Sequence, residues 1–177
     1  MAQLKDITLF LLDMDGTVNL GYDPIDGAKE FLETLKAQGK NFIFLTNNSS
    51  KNAFDYVEKM RSLDFPCDGE NVFTSGMAAG MFLQENKKDS LVYVCGTESL
   101  KKELKNYNVN ISEDGVGADT VLLGYDTELD YKKIRIVATF SMQVQIIMQQ
   151  ILIWFVLLKA EDIFLIAVAL QICLKMQ

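Results

Sequence analysis

The sequence LLDMDGT at residues 11–17 begins with the last two residues of an apolar run that starts at Ile7. This run, Ile7–Leu12, has the length and composition of a buried β-strand that ends at Asp13. Because Asp13 and Asp15 are two residues apart, an extended chain directs both carboxylates to the same side. Gly16 allows a sharp turn and a close approach of backbone N–H groups to an anion. The alternative interpretation is a solvated acidic turn that merely follows a strand.

Downstream of this motif, apolar runs of strand length alternate with segments of helical periodicity. Predicted strands cover residues 41–46, 71–74, 91–95 and 120–123. Predicted helices cover residues 28–38, 50–62 and 98–104, and a further helix starts near Glu128. Another predicted helix contains a methionine-rich segment around residues 77–82, which we expect to be part of the core. This alternation favours an α/β fold whose parallel sheet is covered by helices on both faces.

A second polar motif, TNNSS at residues 46–50, stands at the end of the second predicted strand and before a helix. Hydroxyl and amide groups at a helix N-terminus can cradle a phosphate, although an ordinary helix N-cap, here Ser50, has the same composition. Ligands of open α/β sheets bind beyond the carboxyl ends of the strands, so both motifs are expected at one edge. Since two carboxylates repel a phosphate, the combination predicts a bridging Mg²⁺.

Several other functions are excluded by what the sequence lacks. There is no histidine, which removes His-based nucleophilic and metal chemistry, and no G-x-x-x-x-G-K-[ST] loop. The formal charge of −7 without a basic stripe argues against a nucleic-acid partner.

Cys67, Cys95 and Cys173 form no C-x-x-C pair, so we expect reduced thiols in the cytoplasm. The N-terminus does not have the layout of a signal peptide. The sequence predicts no oligomeric state.

The motif D-x-D-G-T followed by T-N-N-S-S resembles the haloacid dehalogenase (HAD) superfamily, and more closely its subfamily IIA of sugar-phosphatase and p-nitrophenyl-phosphatase-like hydrolases. The resemblance extends over residues 7–136 and includes the segments GYDPIDGA (21–28), FTSG (73–76), VYVCG (92–96) and LLGYD (122–126). It implies a Rossmann-like parallel sheet core at residues 1–87, with an inserted α/β cap domain of which residues 88–136 are a part. The fold would be incomplete at the C-terminus.

The resemblance also implies a mechanism on a small phosphoester substrate. Asp13 would be the nucleophile that forms an aspartyl-phosphate, and Asp15 would be the general acid and then the base. The Asp13 carboxylate and the Asp15 backbone carbonyl would hold Mg²⁺. The phosphoryl and substrate contacts would come from Gly16, Thr17, Thr46, Asn47 and Asn48.

Two elements of the family pattern are missing from this chain. The family places an essential lysine and further acidic Mg²⁺ ligands after the cap, whereas Lys159, Glu161, Asp162 and Lys175 lie in apolar stretches without the expected spacing. We therefore expect the chain as written to be inactive or nearly so. The alternative is a non-catalytic remnant that binds Mg²⁺ and phosphate, or a partner-binding fragment that uses its apolar tail.

The composition changes abruptly near residue 137. Residues 137–177 contain no glycine, proline or asparagine and only four charged residues. Back-translation in one shifted phase restores family-like sequence; Met148–Ile153, for example, can encode Ala-Thr-Asn-Pro-Asp. We predict that this tail is a frameshifted translation. A genuine apolar helical tail and a membrane anchor are the alternatives, but the runs Ile151–Leu158 and Ile163–Leu170 are far shorter than the roughly 20 residues of a membrane span.

Overall fold

The computed structural model of the chain describes residues 7–142, 146–149 and 165–166. These residues belong to two compact units. The first unit contains residues 7–46, 54–73 and 165–166, and the second contains residues 47–53, 74–142 and 146–149. Each unit is built around its own four-stranded sheet.

In the sheet of the first unit, two parallel strands end side by side. β1 (Leu9–Asp13) runs parallel to β4 (Asn41–Thr46), with Leu9 opposite Asn41 and Asp13 opposite Leu45. β10 (Leu165–Ile166) pairs in parallel with the other side of β1, and β5 (Val72–Thr74) lies beyond β4. Asp13 and Thr46 are therefore at the same carboxyl edge of the sheet.

Two helices, a short 3₁₀ helix and a small hairpin complete the first unit. Their bounds are β2 (Asn19–Leu20), β3 (Asp23–Pro24), α1 (Ala28–Ala37), α2 (Ala53–Ser62, of which Phe54 onward belongs to this unit) and the 3₁₀ helix Gly69–Asn71. The core includes the Phe44 ring, whose centroid lies 5.3 Å from that of Phe42 and 6.4 Å from that of Phe65. Gly39, with φ of +68°, follows α1 in the left-handed conformation, as the predicted helix stop requires.

The second unit has a parallel sheet with apolar clusters on both faces. The strand order is β7 (Asn110–Ser112), β6 (Leu91–Cys95), β8 (Thr120–Leu123) and β9 (Ile146–Gln149). Val92 and Val94 join a cluster with α3 (Ser75–Asn86) and α4 (Glu98–Lys105), while Tyr93 and Cys95 join a cluster with Phe140 of α5 (Tyr131–Met142). This alternation along β6 confirms the predicted α/β class.

The structure corrects three local predictions in their details. The helix expected from Ser50 begins at Ala53. The Asn48 Oδ1 atom accepts hydrogen bonds from both the backbone N–H and the hydroxyl of Ser50. These bonds hold residues 48–50 in a separate turn that precedes the helix. The helix expected near Glu128 begins at Tyr131. Met77 and Met81 are only partly buried, because the small residues of α3 face inward instead; a Cβ atom added at Gly80 would lie 2.4 Å from the Tyr107 ring.

The predicted change at residue 137 lies inside α5, whose helical backbone continues to Met142. Most of the predicted tail lies outside the described residues, as do Lys159, Glu161, Asp162 and Lys175. The domain boundary expected near residue 88 stays a prediction. Among the described residues, no helix is both long and apolar enough to cross a membrane.

Candidate active site

The loop that follows β1 folds tightly back on itself. The Met14 carbonyl accepts the backbone N–H groups of Thr17, Val18 and Asn19 at 3.0–3.2 Å, and the Gly16 N–H donates to the Asn19 carbonyl at 2.7 Å. Gly16 has a φ of +88°, which a residue with a Cβ atom adopts only with strain. The fully buried Met14 side chain anchors the loop, so Asp13 and Asp15 project from a fixed backbone.

Asp13 is partly buried at the end of β1. Burial raises the pKa of its carboxyl above the ordinary value of 3.8, the hydrogen bond from the Met14 backbone opposes this rise, and the negative charge of Asp15 adds to it. Desolvation and a neighbouring carboxylate both disfavour the charged form of Asp13. A cation at this position would relieve that cost, which fits the donor chemistry of a Mg²⁺ site.

Asp15 is held by two donors that meet the same oxygen. The Asn19 amide donates to Asp15 Oδ1 at 2.7 Å, and the Lys59 ammonium donates to the same atom at 3.0 Å. The Lys59 side chain is 7% exposed, whereas that of Asp15 is 50% exposed. The Lys59 Nζ atom also lies 5.7 Å from the centroid of the Tyr22 ring.

The role of Lys59 was not predicted from the sequence. The residue lies on α2 among the buried residues Tyr56, Val57 and Met60. A lysine three residues after Tyr56 and one before Met60 falls on the apolar face of the helix, and lysines are almost never fully buried without a partner. That pattern could have indicated a buried ion pair, but it could not have identified Asp15 as its partner.

Thr46 is buried at the end of β4, next to Tyr56. Its side chain is hydrogen-bonded to the Tyr56 hydroxyl, and burial raises the pKa of Tyr56 to about 12. The Thr46 hydroxyl therefore has a protein partner, and its orientation is fixed by α2.

The remaining predicted residues, Asn47 and Asn48, belong to the second unit. The Asn47 carbonyl accepts the Ser75 hydroxyl at 3.0 Å, and the Asn48 side chain is engaged by Ser50. Ser49, which is fully buried, accepts the Tyr125 backbone N–H at 2.9 Å. The segment is thus well ordered by hydrogen bonds within its own unit, and the Asn47 side chain is exposed.

The structure groups the predicted site residues by unit: Asp13, Asp15, Gly16, Thr17 and Thr46 lie in the first unit, and Asn47 and Asn48 lie in the second. Within the described part of the chain, no group of three or more His, Cys, Asp or Glu residues could hold a metal ion. Asp13 and Asp15 supply the hard oxygen donors that suit Mg²⁺, but they form only part of an acidic ligand set.

Parallel strands, a D-x-D-G-T loop after β1 and a polar segment after β4 define an α/β protein with a carboxylate pair at the carboxyl edge of its sheet. A sequence profile of the haloacid dehalogenase-like hydrolases matches residues 10–110. The chain belongs to this family, and so by lineage to a group of enzymes.

Characterised relatives and solved structures agree with this assignment. The chain is 36% identical over 133 residues to the 5'-nucleotidase YutF of Bacillus subtilis and 33% identical over 133 residues to an acid sugar phosphatase of Staphylococcus aureus. Each match covers 75% of this chain and 51% of the relative. The crystal structure of a 4-nitrophenylphosphatase from Thermotoga maritima superimposes with a TM-score of 0.77 at 35% identity, covering 83% of this chain and 56% of that one. The chain thus spans about half the length of the curated relatives it matches.

Proposed function

We propose that this chain carries the reacting carboxylates of a Mg²⁺-dependent phosphomonoester hydrolase that acts on a small phosphorylated metabolite. The observation that carries the proposal is the Asp13–Asp15 pair at the carboxyl end of β1, on a fixed loop, in a chain of the HAD-like family. The names of its relatives, a nucleotidase and two phosphatases, support phosphate esters as the substrate class.

In the proposed reaction, an Asp13 carboxylate oxygen attacks phosphorus while the bond from phosphorus to the ester oxygen breaks. Asp15 gives a proton to the departing oxygen. It then takes a proton from the water that cleaves the aspartyl-phosphate, and the Asp13 carboxylate is released. When bound, Mg²⁺ would be held by the Asp13 carboxylate and the Asp15 backbone carbonyl and would neutralise phosphoryl charge.

Phosphoryl oxygens would be bound by the remaining predicted residues, Gly16, Thr17, Thr46, Asn47 and Asn48. The Gly16 and Thr17 N–H groups already donate within the loop, and the Thr46 hydroxyl is bonded to Tyr56, so binding by these groups would exchange a hydrogen bond within the protein for one to the phosphoryl group. Since the described residues provide only part of an acidic ligand set, we expect slow turnover by the 177-residue chain.

The test separates formation of the aspartyl-phosphate from its hydrolysis. The full chain is incubated with Mg²⁺ and acetyl phosphate, and intact-mass spectrometry measures the addition of one phosphoryl group. We expect a slowly formed adduct in the wild type, accumulation in Asp15→Asn, and none in Asp13→Asn. Turnover of p-nitrophenyl phosphate should be weak and should disappear in Asp13→Asn.

A second candidate function is a non-catalytic remnant that binds Mg²⁺ and phosphate, and the incomplete acidic ligand set favours it. A folded chain that binds Mg²⁺ or inorganic phosphate by calorimetry, yet shows neither adduct nor turnover, would establish this candidate and refute the first.

A further inference from the structure

The ion pair between Lys59 and Asp15 is unusual for its burial. Lys59 is on α2, 44 residues beyond Asp15 in the chain, and its side chain is 7% exposed. Removing a lysine ammonium from water is costly unless a partner compensates for it. Here the Asp15 carboxylate is that partner, and the Tyr22 ring lies 5.7 Å from the ammonium.

Both donors act on one side of the Asp15 carboxylate. The Asn19 amide and the Lys59 ammonium reach Oδ1 at 2.7 and 3.0 Å. Asn19 is fully buried and is the first residue of β2. Its amide also donates to the Gly21 carbonyl at 3.0 Å, which fixes the side chain within the β2–β3 hairpin. A carboxylate held through one oxygen by two donors has a defined orientation, and neither of these two donors bonds its other oxygen, Oδ2.

We infer that Lys59, together with Asn19, is a positioning residue that holds Asp15 through Oδ1 so that Oδ2 is the oxygen that takes the proton from the hydrolytic water. This inference rests on the proposed function, in which Asp15 serves as that base. The contact that carries this role is the hydrogen bond from the Lys59 ammonium to Asp15 Oδ1. Lys59 acts through Asp15 alone, because effective proton transfer needs a base held within hydrogen-bond reach of the proton.

Lys59 should affect only one of the two steps of the reaction, the hydrolysis of the aspartyl-phosphate. Transfer from acetyl phosphate to Asp13 breaks the acetyl oxygen–phosphorus bond and releases acetate as an anion, so this step needs no proton from Asp15. Hydrolysis forms a bond from water oxygen to phosphorus, breaks the bond from Asp13 to phosphorus, and passes a water proton to Asp15 Oδ2. Loss of Lys59 should therefore slow the second half and leave the first half intact.

The experiment measures both halves on the full chain. Wild type, Lys59→Met, Lys59→Arg and the same-helix control Arg61→Met, whose side chain is 54% exposed, are treated with Mg²⁺ and acetyl phosphate. Adduct formation is followed by intact-mass spectrometry, and adduct decay is followed after the donor is removed. Circular dichroism on the same samples monitors folding.

We expect Lys59→Met to form the adduct at the wild-type rate but to lose it roughly tenfold more slowly, with Lys59→Arg and Arg61→Met close to wild type. Decay of the Lys59→Met adduct at the wild-type rate would overturn the inference. Equal losses in formation and decay would also overturn it, because they would indicate a purely structural role. If the wild type forms no adduct, the proposed function fails first and removes the basis of the inference. If Lys59→Met does not fold, Lys59→Arg decides, since restored orientation should preserve rapid decay.

Discussion

At the scale of single residues, the role proposed for Asp13 in the reaction conflicts with the stability of the folded chain. The position of Asp13 at the end of β1 suits the attack on phosphorus that we propose for it, but burial and the nearby Asp15 carboxylate raise its pKa, so its charged form destabilises the folded chain. Residues that serve a reaction commonly cost stability in this way. The cost should depend on pH, because it exists only where the carboxyl is ionised.

We predict that Asp13→Asn raises the thermal midpoint of the chain at pH 7. In the wild type the raised pKa favours folding below the ordinary value of 3.8, and this contribution is lost as the pH rises through the pKa of the folded state. The stabilisation by Asp13→Asn should therefore shrink as the pH falls towards 3.8. Scanning calorimetry at several pH values measures this, with the exposed Asp89→Asn as the control. A lower midpoint at pH 7 would show that Asp13 is a structural carboxylate.

At the scale of elements, a buried ion pair helps to secure the start of α5. The Lys133 ammonium donates to Asp126 Oδ2 at 2.8 Å, to the Gly96 carbonyl at 3.0 Å and to the Glu128 carbonyl at 3.1 Å. The Asp126 side chain is 4% exposed and that of Lys133 is 16% exposed. One ammonium thus ties the loop before α5 to the end of β6.

Lys133→Met should destabilise the chain by about 3 kcal/mol, because it leaves the Asp126 carboxylate buried without its cation. Urea denaturation measures the free energy of unfolding. The neighbouring Lys132 is exposed, so Lys132→Met should change that energy by less than about 0.5 kcal/mol. Adding Asp126→Asn to Lys133→Met should recover part of the loss. Equal effects of the two single lysine variants would mean that the ion pair contributes nothing.

The sequence predicted elements best where a strand is buried and has a continuous apolar run. Strands at 41–46, 91–95 and 120–123 match the structure to the residue. The β2–β3 hairpin was missed because its strands have only two residues each and depend on the Met14–Asn19 turn rather than on apolar periodicity. The carboxylate pair could be placed from the sequence, because both residues follow one strand. The partners of Asp15 could not, since packing alone brings Lys59 to it.

At the scale of the whole molecule, about a quarter of the chain lies outside its sequence match to YutF. The similarity to YutF covers 75% of this chain and 51% of that protein, and the composition changes near residue 137. Helix α5 continues through residue 137, with Val137 packed against the cluster around Tyr93 and Phe140. A change of frame near residue 137 would therefore fall inside α5.

We predict that resequencing the coding DNA across codons 130–180 will show a one- or two-base slip near codon 137. The corrected frame should continue into a lysine and further acidic residues, because the family pattern that this chain resembles places them after the cap. The corrected protein should turn over p-nitrophenyl phosphate at least about a hundredfold faster than the 177-residue chain, since each preorganised electrostatic partner contributes on that order. An intact frame through codon 177 would instead make the apolar tail native.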